Sequence, residues 1–232
     1  MIGAKKKYGS VQKAMSTWRD YMVSMGFGYT LGVDLPGEKR GMIPNDRYYD
    51  KNYRGSWNGL TIISIAIGQG EVTATPLQIA NLSATIANRG YFITPHVVKE
   101  VEDEPLDTLY TNKRYTKVRR EHYETVVQGM RAAVTGGTCR GANIPGLDVC
   151  GKTGTAQNRG KDHSAFMGFA PMNDPKIAVS VYVENGGWGA TYGVPIGALI
   201  MEKYLNGKLS PESEVKAKDI QNRRIDYGIH ER

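Results

Sequence analysis

Lys152, Thr153, Gly154 and Thr155 put one cation, two hydroxyls and a position without a Cβ on four consecutive residues. In an extended segment side chains alternate, so Lys152 and Gly154 share one face and Thr153 and Thr155 the other. A glycine there lets a ligand backbone approach the strand closely. Such a strand suits recognition of a peptide's carboxyl end.

Two other readings compete for the same residues. Gly146-x-x-x-x-Gly151-Lys152-Thr153 matches the spacing of a phosphate-binding loop, which needs a strand before the first Gly and a helix opening at the Lys. Neither flank obliges. Thr138-Cys-Arg-Gly-Ala-Asn-Ile-Pro145 is rich in turn formers, and Thr155-Ala-Gln-Asn-Arg-Gly160 has no helical apolar period. The other reading is a surface hairpin carrying an ordinary solvated lysine.

The surrounding pattern predicts what must hold this stretch. Val11, Met15, Trp18, Met22 and Met25 form one helical stripe, followed by a Gly- and Pro-punctuated loop over 26–41 and an irregular stretch over 42–60. An apolar run, Ile62 to Ile67, leads into the Gly68-Gln-Gly70 turn. Thr75-Pro-Leu-Gln78 offers a cap hydroxyl, a Pro at the first helical position and a Gln three residues on, so a buried helix follows with Leu77, Ala80, Leu82, Ala84, Ile86 and Ala87 inward and Gly90 as its stop. A second helix spans 121–135 with Val126, Val127, Met130, Ala133 and Val134 inward. Three antiparallel strands are then expected at about 148–157, 164–170 and 176–184, the last two joined by Pro171-Met-Asn-Asp-Pro-Lys176. From Val194 to Leu205, Ile196, Leu199, Ile200, Tyr204 and Leu205 give a helix to cover one sheet face. The fold class expected is α+β, an antiparallel sheet flanked by helices, with residues 1–207 as one domain and 208–232 as a charged, loosely held tail.

Composition narrows the function classes. A 40% hydrophobic share with 28 Gly and 10 Pro in 232 residues indicates a globular, loop-rich chain. No apolar run is long enough to cross a bilayer, and Met1 to Lys7 lacks the apolar core of a signal peptide. The net charge of +7 suits an acidic neighbour, with basic clusters at Lys5 to Lys7, Lys113 to Arg120 and Arg223-Arg224. No nucleic-acid motif accompanies them, so no nucleic-acid partner is expected, and neither is a cofactor or a metal. Cys139 and Cys150, the two cysteines, could pair in an oxidising compartment or stand as buried thiols.

Four segments together resemble class B penicillin-binding proteins of the elongation type, in the C-terminal part of their transpeptidase domain. They are Gly32-Val-Asp-Leu-Pro36, Gly68-Gln-Gly70 with Thr73-Ala-Thr-Pro-Leu-Gln78, Gly151-Lys-Thr-Gly-Thr-Ala156, and Gly168-Phe-Ala-Pro171. The Lys-Thr-Gly element is an established signature of this family. The resemblance implies a serine β-lactamase-like fold and a serine that attacks the penultimate D-alanyl carbonyl of a peptidoglycan stem peptide. It implies that Lys152 holds a proton-moving ammonium network, that Thr153 and Thr155 bind the terminal carboxylate beside Gly154, and that the Thr155 N–H supplies half an oxyanion hole. β-Lactams would enter as acylating mimics. Implied partners are the D-Ala-D-Ala stem peptide and, for the parent protein, a membrane glycosyltransferase at the periplasmic or extracellular face of the cytoplasmic membrane.

The family also requires a Ser-x-x-Lys nucleophile and a Ser-x-Asn motif upstream. Ser10-Val-Gln-Lys13 and Ser56-Trp-Asn58 fit those patterns in the right order, but each lies too near the segments that follow and reads as coincidence. The expectation is a fragment beginning just after the second catalytic motif, inactive alone, with an unpaired sheet edge through which it could self-associate.

Overall fold

The computed structural model describes residues 4–225 and 227, so the first residues of the basic N-terminal stretch and the end of the charged tail lie outside it. Helices α1 (Ala4–Tyr8), α2 (Val11–Ser24), α3 (Asp46–Tyr53) and α4 (Pro76–Ala87) precede a short strand β1 (Tyr91–Phe92). Strand β2 (Arg114–Tyr115), helix α5 (Arg120–Thr135) and strands β3 (Cys150–Ala156), β4 (His163–Ala170) and β5 (Ile177–Val183) follow. Helices α6 (Gly193–Asn206) and α7 (Pro211–Asn222) complete the order. The chain divides into two compact units, one built from residues up to Gln78 with Tyr91–Val118, the other from Ile79–Gly90 with residues from Arg119 onward.

In the first unit the predicted stripe forms α2, with Met15 fully buried against Tyr49, Trp57, Ile62 and Ile65. The stretch over 42–60, expected to be irregular, contains α3. Asn45 caps it by accepting the Tyr48 N–H at 2.8 Å, and Trp57 Nε1 donates to Asp50 Oδ1 at 2.6 Å. Its buried residue is Tyr49, within a run of tyrosines and charged residues, so the stretch shows no aliphatic period. The Gly32–Pro36 segment is an acid-braced turn. Glu38 accepts the N–H groups of Leu31, Gly32 and Val33, and Asp34 accepts those of Val97 and Val98. The bond from Val98 leads in holding the Asp34 carboxyl below its ordinary range. The apolar run before Gly68 forms a 3₁₀ turn, Ile63–Ile67, with Ile65 buried and Ile63 and Ile67 exposed.

Helix α4 opens on a reciprocal capping box. The Gln78 N–H donates to Thr75 Oγ1 and the Thr75 N–H to Gln78 Oε1, both at 3.1 Å. The buried face differs from the expected apolar one. Gln78, Asn81, Ser83 and Thr85 are buried with Ile86 and Ala87, whereas Leu77 is exposed and Ala80, Leu82 and Ala84 are half-buried. Hydrogen bonds offset that polar burial. Gln78 Nε2 donates to the carbonyls of Tyr29 and Arg40, Ser83 Oγ to Gly168 O at 2.7 Å, and Thr85 Oγ1 to Asn81 O at 2.7 Å.

The second unit is organised by the sheet β3-β4-β5, antiparallel throughout and in sequence order as expected. Phe166 of β4 is its central side chain, 1% exposed. Its ring lies where four glycines leave room: a Cβ at Gly197, Gly151 or Gly168 would come within 2.4, 2.5 or 2.7 Å of the ring, and one at Gly193 within 3.0 Å of the Phe166 Cβ. Around it pack Val134, Val149, Val179, Val181, Val194, Ala198 and Met201. Helix α6 therefore turns Gly193, Val194, Gly197, Ala198 and Met201 inward, while Ile200 and Tyr204, expected inside, stay exposed. Helix α5 likewise buries Tyr123, Val127, Met130 and Val134 and leaves Val126 outside. In α6 small residues allow the closest approach and so decide which stripe faces the sheet. Cys139 and Cys150 are separate buried thiols rather than a disulfide, and burial pushes the Cys150 thiol up to about 11.

Within the expected loose tail, α7 is a defined helix. Ser210 caps it, and Glu202 of α6, 2% exposed, accepts the Ser210 N–H at 3.0 Å. Burial pushes the Glu202 carboxyl up, but hydrogen bonds from Ser213 and Ser210 and the charge of Lys216 outweigh it and leave its pKa lowered. A carboxyl whose folded pKa lies below its unfolded value stabilises fully above that unfolded value, about 4.3, and loses this as pH falls through the folded one. Hydrogen-exchange protection factors in α7, taken against intrinsic rates at each pH, should fall on acidification below about pH 4, and Glu202→Gln should remove this fall. Gly197→Ala, normally gainful in a helix, should here destabilise by about 1–3 kcal/mol because the Phe166 ring holds the Cβ position. Urea unfolding measures the sign.

Candidate functional site

Strand β3 lies at one edge of its sheet, with β4 on its inner side, and carries the Lys-Thr-Gly-Thr run at its centre. This disposes of the phosphate-loop reading of Gly146–Thr153. Lys152 and Thr153 sit in mid-strand, with no helix opening at the Lys to direct N–H groups at a phosphate. Gly151 has a structural reason instead, since the Phe166 ring occupies the space of its missing Cβ.

Register places the side chains as alternation requires. Thr153 lies opposite Phe166 and Thr155 opposite Ser164, so both hydroxyls share the α6 face of the sheet. Lys152 lies opposite Met167 and Gly154 opposite Ala165, on the other face. Lys152 is exposed, and its Nζ donates to the Thr153 carbonyl at 2.7 Å. The four predicted residues are thus contiguous on an accessible edge.

Two segments not singled out in the sequence complete the surroundings. The loop after β5 returns over the strand: the Gly189 N–H reaches Thr155 Oγ1 at 3.4 Å, and a Cβ at Gly189 would lie 2.6 Å from the Gly154 carbonyl and 3.0 Å from the Thr153 Cβ. Ser164, fully buried, anchors this loop by donating to Trp188 O at 2.8 Å and accepting the Gly193 N–H at 3.0 Å. Trp188 itself is 75% exposed. The other segment is the turn after α5, where Thr138 Oγ1 lies 2.9 Å from Thr153 Oγ1. A Gly-Gly-x-Gly run and a Thr after Gly-Gly were the available signals, and each reads equally as plain turn chemistry.

Ser10 caps α2, accepting the Lys13 N–H at 3.1 Å. Asn58 Oδ1 accepts the Leu60 N–H at 2.8 Å and Trp57 is buried beside Tyr49, while Ser56 is exposed, its N–H bonded to the Tyr53 carbonyl at 2.8 Å. Among the described residues no group of three or more His, Cys, Asp or Glu gathers as a metal site, and no helix is long and apolar enough to cross a membrane.

Residues 7–205 match the family model of the penicillin binding protein transpeptidase domain. A peptidoglycan D,D-transpeptidase of Acinetobacter baumannii is 33% identical over 207 residues, a match covering 78% of this chain and 30% of that protein. Penicillin-binding protein 2 of Pseudomonas aeruginosa, solved in complex with WCK 5153, superposes with a TM-score of 0.74 at 37% identity, covering 85% of this chain and 44% of that one. The Helicobacter pylori penicillin-binding protein 2, solved in complex with MreC, gives 0.70 at 28% identity, covering 86% and 37%. The chain thus spans about a third of the length of the curated relatives it matches. With the Lys-Thr-Gly-Thr edge strand, the three-stranded sheet and a domain match over most of its length, this chain belongs to the penicillin-binding protein transpeptidase family.

Proposed function

We propose that this chain supplies the carboxyl-end grip of a peptidoglycan D,D-transpeptidase domain that cross-links stem peptides. The observation that carries it is the exposed edge strand bearing Lys152, Thr153, Gly154 and Thr155 under the Gly189 loop. A stem peptide ending in D-Ala-D-Ala lies along β3, its terminal carboxylate held by the Thr153 and Thr155 hydroxyls, with Gly154 leaving room for its backbone. A serine hydroxyl attacks the penultimate carbonyl, the last D-alanine leaves with its amine protonated, and a neighbouring stem's amine then displaces the serine oxygen. Lys152 contributes positive charge near the proton transfers. The Thr155 N–H stabilises the oxyanion, a donor worth roughly 3 kcal/mol in the transition state.

The attacking serine in this reading lies outside both look-alike patterns, a choice supported by the Ser10 hydroxyl capping α2 and by Asn58 of the second pattern accepting the Leu60 N–H. β-Lactams occupy the same strand. In the parent protein, residues 1–207 belong to one transpeptidase domain at the outer face of the cytoplasmic membrane, working with a membrane glycosyltransferase. The second edge strand, β5, is open to pairing, with another copy of this chain as one occupant.

Titration with diacetyl-Lys-D-Ala-D-Ala should shift the amide resonances of Gly154 and Thr155. Unmoved β3 signals at saturating peptide would refute the grip. A fluorescent penicillin should leave the chain without covalent label, and labelling lost in Ser10→Ala would overturn the assignment of Ser10 as a cap.

A further inference from the structure

We infer that Thr138 is a positioning residue that sets the direction of the Thr153 hydroxyl toward a ligand carboxylate. The inference rests on the proposal that Thr153 contacts the carboxyl end of the peptide. The two Oγ1 atoms are 2.9 Å apart, and either could donate. A hydroxyl has one proton and two lone pairs. A carboxylate offers only acceptors, so Thr153 must give it that proton and can then only accept from Thr138. If Thr153 instead donated to Thr138, its proton would be spent and the carboxylate would face a lone pair. Donation from Thr138 polarises the Thr153 O–H and strengthens its bond to the anion.

The backbone makes Thr138 fit for this. It follows the end of α5, where the Gly137 and Cys139 N–H groups both bond to the Ala133 carbonyl, at 3.1 and 2.9 Å. A Cβ at Gly137 would lie 2.8 Å from the Ala133 Cα, so the turn is packed directly on the helix, and Cys139 beyond it is fully buried. Thr138 is therefore held at both neighbours while its own side chain is exposed. Its hydroxyl also bonds to the buried Cys139 thiol, which keeps the Thr153 N–H as a partner when that hydroxyl is removed. A role confined to tying the α5 turn to β3 would affect every ligand alike, whereas a positioning role acts only on those presenting an anion to Thr153.

The test uses the 232-residue chain and two probes, diacetyl-Lys-D-Ala-D-Ala and its C-terminal carboxamide, with Kd taken from NMR titration. Thr138→Val should weaken the carboxylate probe about three- to tenfold, the loss expected for one neutral hydrogen bond, and leave the carboxamide unchanged. Thr138→Ser should restore wild-type binding. Equal weakening of both probes, or no weakening of either, overturns the positioning role. Thr153→Val separates the two levels. If it weakens the carboxylate probe while Thr138→Val does not, only the positioning role falls. If neither the wild-type chain nor any variant discriminates the carboxylate, the grip itself is wrong and the inference falls with it.

Discussion

The second unit depends on one aromatic ring seated among glycines. Phe166 projects from the middle strand into a slot floored by Gly151 and Gly168 and roofed by Gly193 and Gly197 of α6. A ring buried this fully removes a large apolar area from water, and the absence of Cβ atoms lets helix and sheet approach until dispersion contacts are made on both faces. Gly151 is both a wall of this slot and the residue before Lys152, so the core and the candidate site share a strand. The register that seats Phe166 opposite Thr153 also fixes which face the two threonine hydroxyls occupy. A slip of one residue would exchange Lys152 and the threonines between faces.

The site is held from the rear by polar groups rather than by more apolar surface. Ser164 is buried to anchor the loop that carries Gly189 over Thr155, and Ser83 of α4 reaches the Gly168 carbonyl. Each hydroxyl finds a specific carbonyl or N–H, which gives direction that apolar contact lacks. A binding edge has to stay open to a ligand while keeping its own geometry. Small residues and oriented hydrogen bonds achieve that with little bulk beside the strand.

Much was legible because the signals were local. Thr75-Pro-Leu-Gln78 specifies a capping box through atoms three residues apart, and the pairing of β3, β4 and β5 follows from β-rich runs separated by turns. Helix faces were read less well. Hydrophobicity points Ile200 and Tyr204 inward, yet Gly193, Gly197 and Ala198 take the inner stripe of α6. Hydrophobicity ranks the gain from burial, whereas packing against a flat ring rewards absence of bulk. Helix α3 gives no aliphatic period, since its buried residue is Tyr49 in a run of tyrosines and charged residues, and the Ser10 pattern looks identical to a catalytic motif until its capping bond is seen.

The family and the Lys-Thr-Gly-Thr strand were decided by sequence alone, because contiguous residue types in an extended segment carry their own alternation and spacing. Tertiary structure alone brought Thr138 to Thr153, the Gly189 loop onto Thr155, and Glu202 to the start of α7. Those contacts join residues 15, 34 and 8 positions apart, where turns and packing rather than local propensity set the distance. A glycine or threonine in a turn looks the same in sequence whether or not a strand lies beneath it.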